Sequence, residues 1–531
     1  MALSCFGLML NASVQESATM DELAHIPAGY GYVRYLDYRL NPEHPPLVKA
    51  ISAAPLLFLD IEFPLNKTSW QQDVNGQWTA GTQFLYELGN DADKIINWVR
   101  LGPMLLTIIL VVFIYVWARE LIGRWWALLP TFLFSLSPTV LSHGHYVTTD
   151  MGAALGIFLA TYYFIKFLFK PSRKHLIWAG LAFGIAQLMK FSAVLLIPFF
   201  IFLIIIFFIW KINLEPRKVV LHAFKYAGWL IAIFIIGYAL VYAAYFLFTF
   251  NYPVEKQISD TEFILSSFAG GPDPTIETCN SLRCLAEVNI YMAGNKVLRP
   301  VGQYMLGVLM VIQRSGGGNT AYFLGEVSAS GWWNYFPVVF ALKESIPSLI
   351  LIGLAFLLGS WSIIKKLKIQ NSKFKIFMDY LGTHFAEFSM LAFVIFYWLY
   401  SIKSPLNIGI RHILPTMPFI YILSAGALKK WVNRETTESE NLWKRITNVV
   451  LNFIKSSFKS VVIAVLIIWY LIEVLFAFPY YISYFNQFGG STENGYQYVV
   501  DSNYDWGQDL KRLKKFTEEN LAPNEKIAVD Y

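Results

Sequence analysis

Ten apolar stretches punctuate this chain, at 99–118, 125–142, 150–168, 175–189, 191–210, 226–249, 336–360, 386–402, 412–428 and 460–481. A helix needs roughly 20 such residues to cross a bilayer. Hydrocarbon offers no partner to a backbone N–H or C=O, so stretches of this kind must close their hydrogen bonds within helices. Composition agrees: 56% of the 531 residues are hydrophobic, 17% aromatic and only 15% charged, too apolar for an ordinary soluble protein. The expected fold is an all-α polytopic membrane protein with a bundle of about ten transmembrane helices. The segment 175–210 is nearly continuous, and Lys190 divides it into two helices.

The net charge of +6 comes from short basic clusters between the apolar runs. Orientation in a bilayer explains them, and nucleic acid is not an expected partner. Arg119 and Arg124, the 166–174 cluster, the 211–225 cluster, Lys365 to Lys375 and the 429–459 loop all fall on one side. The positive-inside rule makes that side cytoplasmic. The other side receives 13–97, the His143 to Thr149 turn, 250–335, 403–411 and everything after 482. Every unusual polar motif lies there.

Five regions follow: a first helix end and first outer loop at 1–97, helices at 98–250, a long outer loop at 251–335, helices at 336–481 and an outer segment at 482–531. Ala2 to Ala12 are apolar but too few to span, and are read as the outer end of a truncated first helix. Glu525 to Tyr531 read as a strand that begins a further soluble domain. Cys279 and Cys284 stand close together in the long loop and can form a local disulfide if it is extracytoplasmic, whereas two thiols alone make a poor zinc site.

Asp21 and Glu22 stand just beyond the first apolar segment. A carboxylate at a dry membrane surface can serve as a general base toward a hydroxyl; the plainer reading is that adjacent acids begin a helix, where first turns favour them. His44-Pro45-Pro46-Leu47-Val48-Lys49 leads into Ala50 to Leu59, too short to cross and suited to the membrane surface, with the prolines fixing its start. His44 and Lys49 are positioning candidates, against the plainer reading of capping and snorkelling.

An Asp-Glu pair after the first helix, then His-Pro-Pro-Leu-x-Lys leading into a surface helix, resembles the first outer loop of protein O-mannosyltransferases and aminoarabinose transferases of the GT-C fold. The resemblance implies that Asp21 is the catalytic base and that Glu22 matches a second acid. Asp150, in Thr148-Thr149-Asp150-Met151, matches another acid at the head of a helix. Arg often precedes that acid in the family, whereas this chain has His143 and His145. Lys190 in Leu-Met-Lys-Phe and Arg411 in Arg-His-Ile-Leu-Pro-Thr-Met-Pro resemble family elements suited to a lipid-linked phosphate, with His412 beside Arg411. Snorkelling is the alternative for these two cations, but outward cations run against the charge bias of the chain. Lys343 is a further positioning candidate. The Gly331 to Pro337 aromatic cluster reads as an interface belt first and a sugar-stacking wall second. Asp501 to Asp509 lacks the spacing of a calcium loop and reads as a capped loop leading into a helix at 510–516.

The resemblance implies an inverting transfer of a sugar from a polyprenyl-phosphate donor to a protein Ser or Thr or a glycolipid. It places the chemistry on the extracytoplasmic side of a bacterial cell membrane, with no metal or cofactor. The absence of nucleotide-binding motifs fits a lipid-borne donor. The alternative is a transporter or flippase of lipid-linked saccharides, and no pairing of broken helices in matching halves favours it.

Overall fold

The computed structural model describes residues 1–271, 279, 282–369, 372–433, 442–522, 525 and 527–528. Among these, seven helices are long and apolar enough to cross a membrane: Ala92–Ile122, Asp150–Phe169, Phe191–Leu214, Pro216–Phe248, Ile346–Lys366, Lys373–Lys403 and Leu451–Ala477. The expected count of about ten is thus seven by length and composition. The stretch 125–142 is two short helices, Leu128–Ser135 and Pro138–His143, parted where Ser137 is held extended before Pro138. Arg173–Met189 has 17 residues, and Met417–Val432 has 16 after a 3₁₀ turn through Ile410–Thr416. At 1.5 Å per residue each rises only about 25 Å, short of the roughly 30 Å hydrocarbon layer. The 336–360 stretch also breaks, into Tyr335–Lys343 and Ile346–Ile369, where Glu344 turns extended.

Lys190 divides 175–210 as expected. The helix ends at Met189, Lys190 takes φ −157° and ψ 140°, and a 3₁₀ turn Phe191–Leu195 opens the next helix. Asp150–Phe169 lies at the centre of the bundle, buried on nearly all sides. Small residues allow its neighbours to close in: a Cβ added to Gly184 would sit 2.6 Å from the Gly237 carbonyl oxygen, so glycine there brings two backbones together.

Asp150 at a helix start, Lys190 at a helix end and Arg411 before Met417–Val432 all come to one end of the bundle. The first loop and the segment after Ala477 gather over that end. Leu47–Ala53 and the 3₁₀ turn Ala54–Phe58 form the short apolar element after Pro46, with Phe58 90% exposed. Cys279 and Cys284 are joined by a disulfide. A hairpin pairs Ala321–Phe323 with Glu326–Ser328. Helix Leu510–Asn520 forms as expected, without a side-chain cap at Asp509. The strand expected at 525–531 lies largely outside the described residues.

Candidate active site

The two acids of the first loop open helix Met20–Tyr30, whose Thr19 and Glu22 form a capping box. Successive side chains on a helix diverge by about 100°, and these two meet different arginines. Glu22 turns inward: Arg100 Nε donates to its Oε1 at 2.9 Å and Nη2 to its Oε2 at 2.7 Å. The backbone N–H groups of Val147 and Thr19 complete its shell at 3.0 and 2.9 Å. Burial raises the Glu22 carboxyl, but the Arg100 guanidinium and these donors outweigh it and hold the group below its usual range. Arg100 also donates to the Ser13 and Ser17 carbonyls. Both side chains are fully buried. This pair ties the first loop to the bundle, so Glu22, expected as a second catalytic acid, is placed as a structural one.

Asp21 faces the other way. Its Oδ2 accepts from Arg411 Nη1 at 2.7 Å, and the same Nη1 lies 3.6 Å from Asp150 Oδ2. Lys190 Nζ donates to Asp150 Oδ1. Two acids and two cations, from positions 21, 150, 190 and 411, thus form one neutral chain, Asp21–Arg411–Asp150–Lys190. Asp21 is its most open member, 26% exposed against 3% for Asp150 and 8% for Arg411. Gly409, at φ +115°, sets the turn before Arg411, a conformation that only glycine adopts freely.

The segment after the last span encloses these groups. The Arg411 guanidinium lies 4.1 Å from the centre of the Trp506 ring, a cation–π contact in a dry setting. The Trp506 carbonyl accepts from the Met20 N–H at 2.9 Å, which ties the wall of the site to the start of the Asp21 helix. Asn503 Oδ1 accepts from the Ile410 N–H at 2.9 Å.

The histidines divide. His143 borders the site, its ring 6.3 Å from that of Trp506 and its Nδ1 without a partner among the described residues. Burial pushes its pKa down to about 3, so it is neutral at ordinary pH. His412 stacks on Phe336 and feels the charges of Lys190 and Asp150. His44 packs edge-on against His25 at 4.9 Å, and burial together with neighbouring cations keeps it neutral. His145, expected at the phosphate, is committed elsewhere. Its Nε2 lies 2.8 Å from Glu16 and its Nδ1 2.8 Å from the Leu141 carbonyl, which leaves no ring nitrogen for a ligand.

Two lysines are clamps. Lys49 is fully buried and donates to the Tyr32 hydroxyl, to the Asn41 carbonyl and side chain, and to the His44 carbonyl. It holds the first loop closed and does not snorkel. Lys343 donates to the carbonyls of Ile482 and Asn503 at 2.6 and 2.7 Å, so it fixes the segment that carries Trp506. Sequence reading missed Arg100, Trp506, Glu16 and Arg314, the last of which lends positive charge to the surroundings of His44 and His412. Arg100 stands at the head of an apolar run, where an arginine reads as a flank, and Trp506 is one of 17 tryptophans.

Residues 83–242, which carry Arg100, His143, Asp150 and Lys190, match the family model for dolichyl-phosphate-mannose-protein mannosyltransferase. That segment is similar to this family of membrane glycosyltransferases. The resemblance drawn from residues 20–60 and 404–418 is thus joined by a match over 83–242. No curated protein matches the chain. Three solved structures are similar at a distance. ArnT from Cupriavidus metallidurans bound to undecaprenyl phosphate is 13% identical, with 89% of this chain and 69% of that one covered and a TM-score of 0.45. The Archaeoglobus fulgidus oligosaccharyltransferase tethered with an acceptor peptide is 13% identical, with 98% and 57% covered and a TM-score of 0.44. The S. cerevisiae protein O-mannosyltransferase Pmt1-Pmt2 complex bound to the sugar donor is 19% identical, with 46% and 32% covered and a TM-score of 0.33. The chain spans about a third of the length of the yeast protein and over half that of the archaeal one.

Proposed function

We propose that this glycosyltransferase moves a sugar from a polyprenyl-phosphate donor to a hydroxyl or amine acceptor, a protein Ser or Thr or a glycolipid, on the extracytoplasmic side of the membrane. The observation that carries the reading is the Asp21–Arg411–Asp150–Lys190 chain, in which the most open acid touches a cation suited to phosphate. In the reaction the acceptor atom attacks the anomeric carbon, the bond from that carbon to the phosphate oxygen breaks, and the acceptor proton passes to Asp21. The displacement is single and the anomeric configuration inverts. Charge grows on the departing lipid phosphate, and Arg411 and Lys190 stabilise it where it grows. His143 and His412, at the border of the chain, are further contacts for the phosphate or the sugar.

Arg411 is engaged by Asp21. A phosphate that takes over this guanidinium frees the Asp21 carboxylate to face the acceptor. Asp150 remains between Lys190 and Arg411 and orients both cations.

The test is transfer of labelled sugar from polyprenyl phosphate by the purified protein. Asp21→Asn keeps the shape and removes the base, so turnover is expected to fall about 10²-fold or more while donor binding persists. Transfer at the parental rate would rule out Asp21 as the base and make Asp150 the next residue to test.

A further inference from the structure

At the end of the bundle opposite the site, three spanning helices enclose a cavity of 150 Å³ lined by Leu168, Phe169, Phe207, Trp210, Lys211, Lys225, Tyr226 and Trp229, among others. Its distance from the chemistry follows from Asp150–Phe169, a helix of 20 residues that rises about 30 Å from Asp150 to the cavity wall. Lys211 Nζ lies 5.0 Å from the centre of the Trp210 ring and Lys225 Nζ 4.7 Å from that of Trp229. Both rings line the cavity, so two ammonium groups sit at one aromatic mouth. Glu215, the acid nearest in sequence, makes its ion pair with Lys218 at 2.8 Å and lies 3.6 Å from His222, so its contacts go to these two and its charge reaches Lys211 only from a distance. Arg173, Lys174 and Arg217 add to the same basic end.

We infer that this cavity is a binding site for one anionic phospholipid, with the headgroup phosphate between Lys211 and Lys225 and the upper acyl carbons against Phe169, Phe207 and Trp229. Three features favour a lipid over a free anion. The wall behind the lysines is apolar and aromatic, the helices that form it cross the bilayer, and basic pockets between spans at a membrane face suit lipid phosphates. A snorkelling lysine needs only the headgroup region in general. Two lysines converging on one cavity distinguish anionic from zwitterionic lipid.

The site is independent of the sugar-transfer reading and is tested without it. The full chain is reconstituted in phosphatidylcholine vesicles with and without phosphatidylglycerol, and lipid retained after extraction is counted by native mass spectrometry. Phosphatidylglycerol is expected to be retained over phosphatidylcholine, and K211A/K225A to weaken that retention roughly thirtyfold, from about 1 kcal/mol per lysine at the surface. K211R/K225R keeps the charge and is expected to retain the lipid, which separates loss of charge from loss of fold. Equal retention of both lipids by the parent, or undiminished phosphatidylglycerol on K211A/K225A, would overturn the site. Displacement by inorganic phosphate alone would overturn the assignment to lipid.

Discussion

Two buried arginines, each paired with one of two adjacent acids, differ in a way that separates scaffold from chemistry. Arg100 and Glu22 are sealed from solvent and spend their hydrogen bonds on each other and on the backbone. Arg411 and Asp21 make a single short contact, and Asp21 stays open. The sealed pair has nothing left to offer a substrate. In the proposed reaction the open pair exchanges a carboxylate for a phosphate. Within a membrane protein a buried charge is costly wherever it lies, so the completeness of its partners, more than its depth, tells the two uses apart.

Breaking the sealed pair gives the largest effect. Arg100→Leu leaves Glu22 without its guanidinium in a dry setting, and removal of one partner from a buried pair costs about 3–5 kcal/mol. Thermal unfolding in detergent is expected to show a marked loss of stability even where donor still binds to the folded fraction. A parental melting temperature would mean that the pair does not hold the loop.

Breaking the open pair acts on function instead. Arg411→Ala removes a charged contact of the kind worth about 1.5–3 kcal/mol, so donor KM and turnover are both expected to worsen, for a combined loss in kcat/KM of about tenfold to a hundredfold. Stability is expected to change less than in the Arg100 variant. A change confined to stability would place Arg411 with the scaffold.

Acid sharpens the contrast. The Glu22 carboxyl titrates below its usual 4.5 in the folded chain, so the stability it supplies is present above that value and is lost as pH falls through the lower, folded one. Each proton taken up in that window costs about 1.4 kcal/mol per pH unit. Melting curves are expected to drop below pH 4.5, and Glu22→Gln is expected to flatten part of that drop while lowering stability at neutral pH. An identical acid profile in the variant would remove Glu22 from the account.

The smallest effect concerns the wall. Trp506→Leu stays apolar but removes the aromatic face over Arg411, a loss of about 0.5–2 kcal/mol from that contact, so a severalfold rise in donor KM is expected, with a modest fall in melting temperature from the smaller side chain. An unchanged KM would limit Trp506 to packing.

The open pair was the more legible of the two. Asp21, Asp150, Lys190 and Arg411 stand out because they match motifs of the family the chain resembles, and because two of them oppose the charge bias of the loops. Lys190 also marked a true helix break. What the sequence withheld was direction. Nothing in Asp21-Glu22 tells which acid turns toward the bundle, and nothing in His143-Gly144-His145 tells which ring meets Glu16. Lys49 and Lys343 read as positioning candidates without identifiable partners, because those partners are mostly backbone carbonyls, which every residue carries and no sequence pattern displays. Length and composition give fewer than ten spans among the described residues because Pro138 and Pro415 interrupt apolar runs and leave shorter helices than hydropathy alone implies.

The contacts of Trp506 with Arg411 and Met20 bear on how the molecule is made. A chain threaded into a membrane from its first residues can seal Glu22 against Arg100 early, over a separation of 78 positions. Arg411 must wait: its aromatic cover and the tether on Met20 arrive only with the segment that follows the last span, nearly 500 residues after Asp21. During synthesis the Glu22–Arg100 scaffold can therefore form well before Arg411 is covered, which waits for the segment that follows the last span.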